Sequence, residues 1–208
     1  MGIGLLEFSD ALHASTMRRP PTHRIALLVL LGSAALGAGA QSPPAAQDPR
    51  QMDEVQRKAY SQTLHDARDL LDRKQYAEAI TRLDGLIAER PREAQARFLK
   101  GVALTDQGKT EEAIAQFRAL LADFPELPEP RNNLAVLYAQ KGEYALARDE
   151  LERAVQTAPD YAVAHENLGD VYARLAEVEY ERTLALDKRN RTAAAKLKLI
   201  RATPTPHQ

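Results

Sequence analysis

The sequence holds no cysteine and no tryptophan, and aromatic residues make up 5% of its 208 positions. Without cysteine there is no disulfide, no thiolate metal site and no thiol nucleophile. The scarcity of aromatics excludes a large aromatic core. An excess of one charge is missing too: 28 Lys and Arg face 29 Asp and Glu, a formal net charge of −1. No global basic field therefore gathers nucleic acid. What is abundant is Ala, Leu, Glu, Arg and Gln, all good helix formers. The composition predicts an all-α chain.

Catalytic and cofactor signals are also lacking. The five histidines stand at positions 13, 23, 65, 165 and 207, and no two have the spacing of metal ligands. There is no Gly-rich phosphate loop and no nucleophile elbow. Acidic pairs such as Glu111-Glu112 and Asp149-Glu150 fall on expected solvated helix faces. The expectation is a non-enzymatic protein with no cofactor and no metal.

The first 40 residues read as an address. Residues 25–37 are apolar and uncharged, Arg18, Arg19 and Arg24 precede them, and Ala38-Gly39-Ala40 follows. A charged start, a short apolar run and small residues at a cleavage site describe a secretory signal. The run is too short to span a hydrocarbon core of about 30 Å. An uncleaved N-terminal anchor is the alternative. No Cys follows the small residues, which excludes lipoprotein processing. Met17 directly precedes the arginine pair and is the expected start of translation, with Gln41 the expected mature start. Removing residues 1–40, which carry three arginines and two acids, leaves a net charge of −2. Arg18-Arg19 lacks the apolar residues that follow a twin-arginine signal, so ordinary secretion to the periplasm or beyond is expected. Residues 41–52, with Pro43, Pro44 and Pro49, form an expected disordered linker. Residues 53–201 are the expected folded region and 202–208 a frayed tail.

A single period dominates the folded region. Pro91, Pro125 and Pro159 are 34 residues apart, and so are Ala79, Ala113 and Ala147. A fixed period of this length marks one supersecondary unit repeated. Segments 60–93, 94–127 and 128–161 align without gaps, each as two helices and two turns. Leu83, Phe117 and Leu151 follow each alanine by four residues, and Leu86, Leu120 and Ala154 follow three later, one face of a helix. Each second helix stops before its proline, which disfavours helical φ/ψ in the preceding residue. On the first helices Gly101, Ala135 and Gly169 repeat, as do Leu104, Tyr138 and Tyr172. The small residue admits the partner helix and the larger one fills the gap beside it. Gly108 and Gly142 mark the turn between helices, a place for positive φ. The first unit has Lys74 and Gln75 there, and Asp66 where Leu134 and Leu168 stand later. A terminal repeat, lacking a neighbour on one side, is expected to be atypical.

This pattern of small, aromatic, Ala, bulky and Pro positions resembles the tetratricopeptide repeat (TPR), of an exported bacterial type, over roughly residues 60–190. The family's usual tryptophan is replaced by Arg97, Arg131 and His165. The resemblance implies a right-handed α-solenoid: three full repeats, a degenerate fourth and a C-terminal capping helix. In the fourth unit the period asks for Ala at 181 and Pro at 193, where Glu181 and Ala193 stand. The end of its second helix comes about five residues early and the turn is missing. The expectation is one fused helix over about 163–186, a turn at Asn190, and a cap over Thr192–Arg201 with Ala195, Leu197, Leu199 and Ile200 apolar.

The resemblance also implies a concave groove lined by the first helices. Carried onto this sequence, it comprises Gln95, Phe98, Val102, Thr105 and Asp106; then Glu129, Asn132, Val136, Ala139 and Gln140; then Val163, Glu166, Asp170, Ala173 and Arg174. Asn133 and Asn167 lie beside these, either to bind a peptide backbone or to pair locally. The Lys/Arg carboxylate clamp of chaperone-binding members is replaced by Phe98, Asn132 and Glu166, so a basic or mixed peptide, or a helix, fits better. Phe98 is the apolar anchor if exposed, and core packing otherwise. The implied function is a protein-interaction scaffold of the bacterial envelope with an unidentified protein partner. It uses no nucleic acid and has no membrane span after signal cleavage, as a monomer or weak oligomer. A self-associating structural protein and an accessory chaperone for an exported enzyme are the alternatives.

Overall fold

The computed structural model describes residues 54–202, and these contain eight α-helices and no strand. The expected signal and almost all of the expected linker and tail lie outside the described residues. The helices are α1 (Glu54–Asp72), α2 (Tyr76–Glu89), α3 (Ala94–Asp106) and α4 (Thr110–Asp123). They continue as α5 (Pro128–Gln140), α6 (Tyr144–Thr157), α7 (Ala162–Leu186) and α8 (Arg191–Ala202). Among the described residues, 62–202 form one compact unit, and 54–61 belong to another. Every helix from α2 onward belongs to the former.

Two turns alternate, and each has a chemical cause. Between the helices of a pair, the chain reverses through one residue of positive φ: Lys74 (60°), Gly108 (79°) and Gly142 (76°). In each case the next N–H reaches back to an orphan carbonyl of the helix just ended: Gln75 N to Leu70 O at 2.8 Å, Lys109 N to Leu104 O at 2.9 Å, Glu143 N to Tyr138 O at 2.9 Å. This is the double-bonded cap that favours glycine at its left-handed position. Lys74 occupies it without that advantage. Between pairs, Arg90, Phe124 and Ala158 leave the helical region, with φ of −139°, −134° and −131° and ψ of 72°, 69° and 87°. Pro91, Pro125 and Pro159 follow them, as the steric rule requires.

The core lies between paired helices. Ala79, Ala113 and Ala147 are fully buried, as are Leu83 and Phe117, with Leu151 1% exposed. Gly101 is the notch for Phe117: a Cβ there would lie 2.4 Å from the ring. Each helix from α2 onward packs on the next, and in addition α3 packs on α5 and α5 on α7. The first helices thus form a layer of their own.

The fourth unit departs from this plan. The place equivalent to Gly108 and Gly142 is Ala176, within a run of strong helix formers, and the helix continues. α7 runs unbroken over 25 residues. It ends at Asp187, whose φ of −133° and bond to Asn190 N (3.1 Å) reproduce the turn between pairs without a proline. Asn190 Oδ1 accepts the Ala193 N–H at 2.9 Å and caps α8. From this start Ala193 and Leu197 face inward and are buried. Leu199, expected to be core, is 70% exposed, and Ala195 is exposed as well. They lie on the opposite side of a 3.6-residue turn. Tyr172 is corrected too. With no helix folded back beside it, it fills no gap, is 47% exposed, and donates its hydroxyl to Glu152 at 2.8 Å.

Candidate partner-binding face

The layer α3–α5–α7 carries every groove residue expected from the repeat register. Its exposure is uneven. Phe98 and Val102 are each 3% exposed, and the Phe98 ring lies 6.0 Å from that of Phe117. Phe98 is therefore core packing rather than an exposed anchor, and Val102 is core beside it. Asn132 (4%) and Asn133 (8%) are also buried. Buried amides must be paired. Asn167 donates from Nδ2 to Asn132 Oδ1 at 2.7 Å. This bond joins α5 to α7, so these two asparagines hold neighbouring repeats in register.

The accessible part of the face is polar. Asp106, Gln140, Val163 and Glu166 are exposed, while Gln95, Thr105, Glu129, Val136, Ala139, Asp170, Ala173 and Arg174 are half-buried. The Thr105 hydroxyl is spent on its own helix, donating to Gly101 O at 2.9 Å. Arg174 pairs with Glu177 at 3.0 Å. Acids dominate the remainder: Asp106, Glu129, Glu166 and Asp170. Although Asp106 is exposed by its surface area, neighbouring protein strips enough water from its carboxyl to hold it above its ordinary value. Asp170 Oδ2 is buried without a hydrogen-bond partner. Among the described residues no group of three or more His, Asp or Glu could hold a metal ion.

One set of turn-to-helix contacts beside this face was not foreseen from the sequence. The residues replacing the usual tryptophan all reach back six positions to a proline carbonyl. Arg131 donates to Pro125 O at 2.8 Å, His165 Nε2 lies 3.0 Å from Pro159 O, and Arg97 is 3.5 Å from Pro91 O. Arg97 also pairs with Asp123 at 2.5 Å and Arg131 with Glu150 at 2.8 Å. A basic residue six after each proline was the signal. Its constant spacing, rather than the absent tryptophan, carried the information.

Comparison with known proteins places this arrangement. No curated protein matches the chain. Among solved structures, the first TPR domain of human RPAP3 is similar with TM-score 0.54 at 15% identity, over 58% of this chain and 94% of that one. The Sgt2 TPR domain of Aspergillus fumigatus is similar with TM-score 0.55 at 14% identity, over 58% and 82%. The Yersinia enterocolitica type III secretion chaperone SycD, in complex with a peptide of the translocator YopD, gives TM-score 0.53 at 18% identity, over 62% and 99%. At these identities the likeness is one of fold. The tetratricopeptide repeat model itself matches residues 66–128, 106–162 and 132–195, well over half of the sequence. The chain belongs to the tetratricopeptide repeat family.

Proposed function

We propose that this chain is a non-enzymatic adaptor of the bacterial cell envelope, exported by its N-terminal signal. It holds a basic or mixed-charge segment of a protein partner against the α3–α5–α7 face. The observation that carries this reading is the acidic character of that face, with Asp106, Glu129, Glu166 and Asp170 along one layer. A Lys or Arg side chain of a partner supplies the opposite charge for such a layer. The similar SycD structure holds a peptide of YopD, which is in keeping with a peptide-binding use of the fold. Self-association and service as an accessory chaperone are the rival uses of the same architecture.

The test is crosslinking in the intact cell followed by mass spectrometry, with the intact chain beside Glu129→Lys with Glu166→Lys. The double variant is expected to lose about tenfold or more of its captured partner, since two attractions become repulsions. An unchanged set of captured proteins removes the face from the account. Recovery of the chain from the cytoplasm alone removes the envelope.

A further inference from the structure

The near-neutral total conceals a division. Residues 54–181 hold 17 Lys and Arg against 24 Asp and Glu, a net of −7. Residues 182–202 hold seven Lys and Arg against one Asp, a net of +6. The basic set gathers at one end: the last turn of α7, the 187–190 turn, and α8.

Two of its seven cations are spent inside the fold. Arg201 pairs with Glu177 at 2.8 Å and with Glu181, clamping α8 to α7. Lys196 lies over the Tyr180 ring at 5.5 Å. The other five, Arg182, Lys188, Arg189, Arg191 and Lys198, are exposed. They make no ion pair among the described residues. The single acid of the stretch is also spent, since Asp187 Oδ1 accepts the Arg189 N–H at 3.0 Å. Among these cations stand Leu186, 84% exposed, and Leu199, 70% exposed. Ala193 and Leu197 face α7, so the outer side of α8 presents Arg191, Ala195, Lys198 and Leu199.

We propose that this end of the chain docks on an anionic lipid surface. Unpaired Lys and Arg are drawn to such a surface within a Debye length of it. Isolated exposed leucines beside them enter the boundary between headgroups and acyl chains. A nucleic acid or an acidic protein uses the cations but leaves Leu186 and Leu199 in water; a lipid surface uses both. The opposite charge of residues 54–181 repels the same surface, so the chain approaches it by this end. No described helix is long and apolar enough to cross a membrane, and the contact is peripheral. This site is independent of the face assigned above to the protein partner.

Vesicle flotation of the full chain tests it, with phosphatidylcholine alone and phosphatidylcholine carrying about one-third phosphatidylglycerol, at about 0.1 M salt. The readout is the ratio of binding to the two vesicles, compared between variants that all share the same N-terminal apolar run and its three arginines. The intact chain is expected to prefer anionic vesicles by about tenfold. Lys188→Glu with Arg189→Glu and Lys198→Glu brings the ratio to within about twofold. Leu186→Ser with Leu199→Ser, at unchanged charge, weakens anionic binding by about threefold. All five positions are exposed, and an unchanged helical circular dichroism spectrum verifies the fold of each variant. Absence of a preference in the intact chain overturns the proposal, and so does a preference that survives the triple charge reversal. So does capture by polyglutamate or duplex DNA with no binding to vesicles, which assigns the end to an acidic macromolecule.

Discussion

Gly101 and Gly169 hold the same place in the second and fourth units and have opposite surroundings. At Gly101 an added Cβ would run into the Phe117 ring at 2.4 Å; at Gly169 nothing lies within 4 Å. The difference is whether a second helix folds back. In the second unit, Gly108 adopts φ of 79° and α4 returns along α3. In the fourth, Ala176 sits at that place, α7 continues, and the notch stays empty. A repeat is therefore made by its turn as much as by its apolar face. The fourth unit keeps the small residue but lacks the reversal that gives it a purpose. The chain then uses the straight half of α7 as the support for α8, and so ends the array.

The comparison breaks most sharply at Phe117. Phe117→Ala removes a fully buried ring from the notch, and its expected cost is about 3–5 kcal/mol. Tyr172→Ala in the fourth unit removes a half-exposed ring and is expected to cost under about 1 kcal/mol. Urea denaturation followed by circular dichroism measures both, and similar losses would mean that the fourth unit is packed like the second.

The ties between turn and helix come next. Arg131→Ala breaks a pair with Glu150 and a bond to Pro125 O, with both side chains largely screened from water. The expected loss is about 1–3 kcal/mol. His165→Ala removes only the bond to Pro159 O from an exposed side chain and should cost roughly 0.5 kcal/mol. The same titration ranks them, and an equal effect would mean that the Arg131–Glu150 pair adds nothing to the bond with the proline carbonyl.

Lys74→Gly sharpens the case for the turn from the other side. Lys74 holds φ of 60°, a conformation that costs a residue with a Cβ about 1 kcal/mol relative to glycine. The substitution is expected to raise the denaturation midpoint. A fall would show that the first turn is held by something other than backbone preference.

The smallest effect lies in the α7–α8 clamp. The hydrogen bonds from Arg201 and then from Arg174 hold the Glu177 carboxyl below its ordinary value. A depressed carboxylate contributes stability that is full above its unfolded value, about 4.3, and is lost as pH falls through the folded value. Glu177→Gln should thus lower the midpoint at neutral pH and make progressively less difference in acid. A difference that grows as pH falls has the wrong sign and would contradict the assignment.

Much of this was legible in the sequence, for reasons that differ by residue. The 34-residue step of Pro91, Pro125 and Pro159 and of the alanines fixes helix pairs because backbone sterics and close packing act locally. The missing turn, read from Glu181 and Ala193 where the period asks for Ala and Pro, announced the fused helix, expected over about 163–186 and found at 162–186. The face was harder. A register places Phe98, Val102, Asn132 and Asn133 on the first helices, but only the packing of neighbours decides that they are buried. The inward side of α8 was misread at Ala195 and Leu199 because residues two apart lie about 200° apart on a helix, so neither can share a face with the buried Leu197. The contacts of Arg131 and His165 with proline carbonyls are nonlocal in direction and left only a spacing behind.

The central claim is that the array ends because the fourth unit does not fold back on itself. Gly101→Ala and Gly169→Ala in parallel test it directly, since both exchanges add the same methyl group to a helix. Alanine gains about 1 kcal/mol in helix propensity at either site, while overpacking against Phe117 costs about 1–3 kcal/mol at Gly101 alone. The account predicts a lower urea midpoint for Gly101→Ala and a higher one for Gly169→Ala. Midpoints that both fall would place a second helix against Gly169 and contradict it.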